Sequence, residues 1–136
     1  MNQEKVSLLV EKAIEARSAS YSPYSKFAVG AALLCADGTI YTGANIENAS
    51  YTPTVCAERV AFFAAVHDGY REFSAIAIVG GKSGEPISEY CPPCGVCRQV
   101  MGEFCDGDFK VILSDGSTPR VMTLDEIFPS RFDLLS

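Results

Sequence analysis

Two thiols three residues apart, in Cys94-Gly95-Val96-Cys97, fall near one face of any helix that carries them, and a third, Cys56, lies far upstream at another apparent helix start. At such a start the exposed N–H groups and partial positive charge favour thiolate over thiol. Sulfur donors of this kind select zinc. Three protein ligands leave a fourth coordination position for water, whose pKa zinc lowers from about 15.7 to near 7. Glu58 follows Cys56 by two residues. In a regular helix the two would point roughly 200° apart, so both can address one metal only at a helix end, where the carboxylate could shuttle protons. The single histidine, His67, lies roughly 16 Å further along the same helix and cannot share that metal.

Other readings of these residues stay open. A C-x-x-C pair by itself also fits a redox dithiol or a structural zinc knuckle, and Glu58 by itself fits an ordinary first-turn glutamate favoured by the helix dipole. Cys91 could join Cys56, Cys94 and Cys97 in a closed four-thiolate site with no place for water, although Pro92-Pro93 imposes an extended backbone that makes this awkward. Three thiolates on a divalent cation carry a net charge of about −1, which weakens its Lewis acidity. Arg59, three residues after Cys56 and on the same helix face, is expected to donate to a ligand sulfur and offset that charge. Cys35 and Cys105 read as small buried hydrophobes.

The elements that must position these groups are legible from periodicity. Val6, Leu9, Val10, Ala13 and Ile14 recur at helical spacing and predict an amphipathic helix over Val6 to Ala16. Phe27 to Leu34 and Thr39 to Asn45 read as a hairpin about the turn Ala36-Asp37-Gly38. Helices are expected over Cys56 to His67 and near Cys94 to Phe104, strands over Phe73 to Val79, Phe109 to Leu113 and around Arg120 to Met122, and a last helical turn from Thr123. Strand-helix alternation after a hairpin favours an α/β layered sheet of mixed direction. At 136 residues the chain fits a single domain, 1–136. It has no apolar run of about 20 residues, so no membrane partner is expected. Its N-terminus lacks the pattern of an export signal, so the six cysteines are expected to be reduced thiols in the cytoplasm. A net charge of −6 argues against a nucleic acid polymer as partner and for a small uncharged substrate.

Cys56-Ala57-Glu58 followed by Pro93-Cys94-Gly95-Val96-Cys97-Arg98-Gln99 resembles the C-x-E and P-C-x-x-C signature of the zinc nucleoside deaminases. Tyr21-Ser22-Pro23-Tyr24-Ser25-Lys26-Phe27, Gly43-Ala44-Asn45-Ile46-Glu47-Asn48-Ala49 and Phe128-Pro129-Ser130-Arg131-Phe132 extend the likeness, over essentially the whole chain, to the small homotetrameric cytidine deaminases. The resemblance implies a three-layer α/β/α fold with a five-stranded mixed sheet, and Zn²⁺ held by Cys56, Cys94 and Cys97. It implies hydrolytic deamination of cytidine and 2′-deoxycytidine to uridine and 2′-deoxyuridine plus ammonia, by a zinc-activated hydroxide with Glu58 as proton shuttle, in pyrimidine salvage. Asn45 and Glu47 would hydrogen-bond the ribose, Phe27 would pack against the nucleoside, Ala57 would offer backbone hydrogen bonds to the base, and Phe132 would reach a neighbouring subunit's site in a homotetramer. Two departures from the commoner family pattern, Val96 in place of a smaller alanine and Cys91 ahead of the two prolines, are expected to crowd the zinc loop. Deamination of a cytosine-containing antibiotic, editing of single strands and a structural zinc module are the rivals; Asn45-Ile46-Glu47, the acidic charge and Glu58 respectively oppose them.

Overall fold

The computed structural model describes residues 1–134. Helix α1 (Gln3–Ala16) starts earlier than its apolar periodicity suggests, because the Asn2 side chain accepts the Lys5 N–H and caps it. A 3-10 turn, Arg17–Ala19, follows. Strands β1 (Phe27–Cys35) and β2 (Ile40–Ala44) form the expected hairpin. Then come α2 (Ala57–His67), β3 (Phe73–Lys82), α3 (Gly95–Phe104), β4 (Lys110–Ser114), β5 (Pro119–Thr123) and the short α4 (Leu124–Ile127). β3 runs three residues past Val79 because Gly80, Gly81 and Lys82 still pair with Val29, Ala28 and Phe27.

The strands form one five-stranded sheet in the order β2-β1-β3-β4-β5. β1 pairs antiparallel with both β2 and β3, β3 pairs parallel with β4, and β4 pairs antiparallel with β5. The direction is therefore mixed, with α3 as the crossover between the two parallel strands. Strand alternation separates two cores. Ala32, Leu34, Ala75, Ala77 and Val79 face α1 through Val6, Leu9 and Ala13, whereas Ala31, Leu33, Ile76 and Ile78 face α2 and α3 through Ala61, Phe62 and Met101. The result is three layers. Cys35 is buried as expected, but Cys105, at the C-terminus of α3, is only half-buried. No helix among the described residues is long and apolar enough to cross a membrane.

The pairing registers bring the start of β1, the end of β2 and the end of β3 to one end of the sheet. Arg17 ties that end to α1. Its guanidinium donates from Nε to the Ala28 carbonyl (2.9 Å), from Nη1 to Glu85 (3.1 Å), and from Nη2 to Gly81 (3.0 Å) and Lys82 (3.1 Å). No lysine reproduces this planar fork. Arg17→Met should lower unfolding stability in urea by about 2 kcal/mol, and Arg17→Lys should recover less than half of the loss. Equal stability of Met and Lys variants would deny the fork its role.

Candidate metal centre

Helix α2 approaches the sheet where Gly43 sits: a Cβ there would meet the Ala57 carbonyl oxygen at 2.4 Å and the Ala61 nitrogen at 2.7 Å. Any side chain at 43 would push the start of α2 away. Cys56 is the N-cap of α2, with extended backbone (φ −75°, ψ 154°), and Cys94 is the N-cap of α3 (φ −70°, ψ 169°). Neither helix has a side-chain cap hydrogen bond, and the partial positive charge of each N-terminus falls at the cysteine that precedes it. The extended backbone at Cys56 explains how Cys56 and Glu58 serve one site: the 200° divergence of a regular helix does not apply to an N-cap residue. Cys97, one turn into α3, is buried and faces back to Cys94.

The three sulfurs lie within 4.8 Å of one another. Cys56 and Cys94 are 3.7 Å apart, and Cys94 and Cys97 3.5 Å. Three sulfurs at the usual Zn–S distance of about 2.3 Å in tetrahedral array would be separated by about 3.8 Å. The donor set and its spacing therefore fit Zn²⁺. Its electrostatics fit as well. The Cys56 thiol is pulled down to about 5, first by the S–H that Cys97 donates to it and then by the Arg59 guanidinium, which outweigh the opposing effect of burial. The Cys97 thiol is correspondingly held up. Cys91 is not part of the cluster among the described residues; burial pushes its thiol up to about 11. Val96 is 57% exposed and does not crowd the loop as expected from its size.

Glu58 is the second residue of α2 and one of two buried polar side chains among the described residues, at 4% exposure. Loss of hydration pushes its carboxyl up to about 7. Arg59 donates from Nη2 to Cys56 Sγ at 3.5 Å, while its buried Nε has no partner among the described residues. Ala57 is fully buried against β2.

Asn45 follows β2 directly. Its Oδ1 accepts from Ser20 Oγ (2.6 Å) and the Val29 N–H (2.9 Å), and its Nδ2 donates to the Phe27 carbonyl (2.9 Å). The amide is thus fixed in orientation with one N–H left over. Glu47 Oε1 accepts the N–H groups of Tyr24 (3.0 Å) and Ser25 (3.1 Å); the Ser25 hydroxyl and these amides hold the carboxyl below its usual range. Tyr24, Ser25, Glu47, Asn48, Tyr51 and Thr54 line a cavity of about 350 Å³ that reaches neither Glu58 nor the thiols. Phe27 is 39% exposed at the start of β1, and Phe132 is 67% exposed, so Phe132 does not cover the core of its own chain.

Ser20, Tyr24 and Ser25, which hold Asn45 and Glu47, are not among the site residues expected from the sequence. They lie 22 to 25 residues from the groups they hold. The contacts depend on bridges joining Tyr21 to Ile46 and Ile46 to Val55. No short-range pattern announces such pairings.

A family model described as the cytidine and deoxycytidylate deaminase zinc-binding region matches residues 3–113. A cytidine deaminase of Sporosarcina psychrophila is 54% identical over 110 residues, 81% of this chain and 77% of that protein. One from Halalkalibacterium halodurans is 49% identical over 92% of each chain. The crystal structure of cytidine deaminase from Burkholderia pseudomallei superposes with a TM-score of 0.85 at 42% identity, covering 97% of this chain and all of that one.

Metal analysis of purified variants distinguishes three ligands from four. Cys91→Ser should retain one zinc per chain, and Cys94→Ser and Cys97→Ser should each lose most of it. Zinc loss in Cys91→Ser would restore the closed four-thiolate site.

Proposed function

We infer the roles of the site residues from one premise: the chain belongs to the family of cytidine and deoxycytidylate deaminases with a zinc-binding region, and it deaminates cytidine. A buried Glu58 carboxyl beside three converging thiols carries the assignment. Zinc on Cys56, Cys94 and Cys97 supplies a Lewis acid that acidifies water at neutral pH. Glu58 takes a proton from the water that attacks C4 and delivers it to ring N3; it then takes the proton of the new C4 hydroxyl and gives it to the amine as the C4–N bond breaks and the carbonyl forms. Uridine and ammonia remain. A carboxyl raised toward neutrality by burial is suited to both accepting and donating. Arg59 offsets the thiolate charge through its bond to Cys56.

The sugar is held at the other side of the site. The free N–H of the Asn45 amide donates to a ribose hydroxyl, and the ionised Glu47 carboxylate accepts from one; 2′-deoxycytidine is proposed as a second substrate. Phe27 packs on the pyrimidine and the Ala57 backbone binds its polar edge. One domain over residues 1–136 carries all these groups.

Exposed Tyr21, Tyr24, Tyr51 and Phe132 are large apolar groups, three of them on segments that flank the sugar side, and each is more than half exposed. Their exposure supports a homotetramer in which neighbouring chains cover them and Phe132 enters a neighbour's site. Six free thiols support a reducing, cytoplasmic setting and a role in pyrimidine salvage.

Ammonia release from cytidine by the zinc-loaded protein, run beside Glu58→Gln, tests the assignment. The near-isosteric change should leave zinc content equal and lower turnover by about 10³-fold, within the range for general acid-base groups. A variant within tenfold of the parent would remove Glu58 from the proton path.

A further inference from the structure

Along β3, Ile76, Ile78 and Gly80 face α2 and α3, and along β1 Phe27, Val29, Ala31 and Leu33 do the same. Gly80 is therefore the position on the metal-centre face where β3 has no side chain, directly across from Val29 and diagonal to Phe27. The space is filled by others. A Cβ at 80 would lie 2.8 Å from Cys91 Sγ, 3.1 Å from Cys91 Cβ and 3.0 Å from Phe27 Cε2. The thiol and the ring edge thus share one slot over Gly80. Sulfur beside an aromatic edge is a favourable contact.

Two features make this slot a stop for the ring. Phe27 also borders a cavity of about 310 Å³, shared with Gly80, Lys82, Pro86 and Tyr90, so the ring has open space beside it into which it could swing. And Cys91 is joined to Cys94 by Pro92-Pro93, whose fixed φ angles give the thiol little freedom relative to the metal loop. We propose that Gly80 and Cys91 are a positioning pair that seats the Phe27 ring, and that through it they set how the pyrimidine is held relative to the metal loop. Neither touches the reacting atoms. The inference rests on the reading that Phe27 packs on the nucleoside.

Steady-state cytidine deamination by Gly80→Ala, Cys91→Ala, the double variant and Phe27→Leu, each with its zinc content and Tm, tests the pair. Gly80→Ala overpacks the slot and should raise KM about tenfold, with a smaller change in kcat. Cys91→Ala adds no bulk, and should raise KM about threefold by freeing the ring while zinc stays bound. In the double variant the new methyl occupies the place the thiol vacates, so KM should fall back at least threefold from that of Gly80→Ala. General damage to the fold would not be reversed by a second, cavity-making change. Parental KM in both single variants, or effects in the double variant that simply multiply, would overturn the pair. Parental KM in Phe27→Leu would instead overturn the base-packing reading beneath it.

Discussion

Everything in this molecule depends on two uncapped helix N-termini meeting at one end of a sheet. A helix start leaves N–H groups without partners, and the usual remedy is a hydroxyl or carboxamide at the N-cap. Here cysteine occupies both N-cap positions, at Cys56 and Cys94, and offers no side-chain cap. The positive ends of two helix dipoles therefore fall at two of the sulfurs, and a third sulfur, Cys97, closes the set from one turn inside α3. The same arrangement makes Glu58 a buried acid: the second position of α2 lies beneath the chain that carries Cys56, where hydration is lost and the carboxyl rises toward neutrality.

The sheet accounts for the meeting. β3 and β4 run parallel, so the connection between them must cross over the sheet, and α3 lies in that connection. α2 is set down on the hairpin at Gly43, the position where its first turn comes within contact of β2 backbone. Because β1 is antiparallel to both neighbours, the end of β2 with Asn45, the start of β1 with Phe27 and the end of β3 with Gly80 all fall at the same end of the sheet. Arg17 then fastens that end to α1 through four backbone carbonyls, although it lies on the opposite layer from the metal centre.

Much of this was legible in the sequence, and what was legible is local. Helical and strand periodicities located each element within a few residues, and Cys56-Ala57-Glu58 with Cys94-Gly95-Val96-Cys97 located the thiols and the acid. Two kinds of feature were not legible. Caps shift boundaries without changing periodicity, which is why α1 starts at Gln3 and why Cys56 and Cys94 precede their helices instead of opening them. Long-range backbone pairing also leaves no local trace: the support of Asn45 by Ser20, and of Glu47 by the Tyr24 and Ser25 amides, exists only because distant segments lie side by side. The slot over Gly80 belongs to the same kind, since a glycine in a strand does not declare which side chains use its empty face.

In the proposed site three thiolates, and not four, hold the metal, leaving one position open beside Glu58. Zinc X-ray absorption on the purified protein measures this directly. Three sulfur neighbours at about 2.3 Å and one light-atom neighbour at about 2.0 Å are expected. Four sulfurs, or a shell with fewer than three, would contradict it.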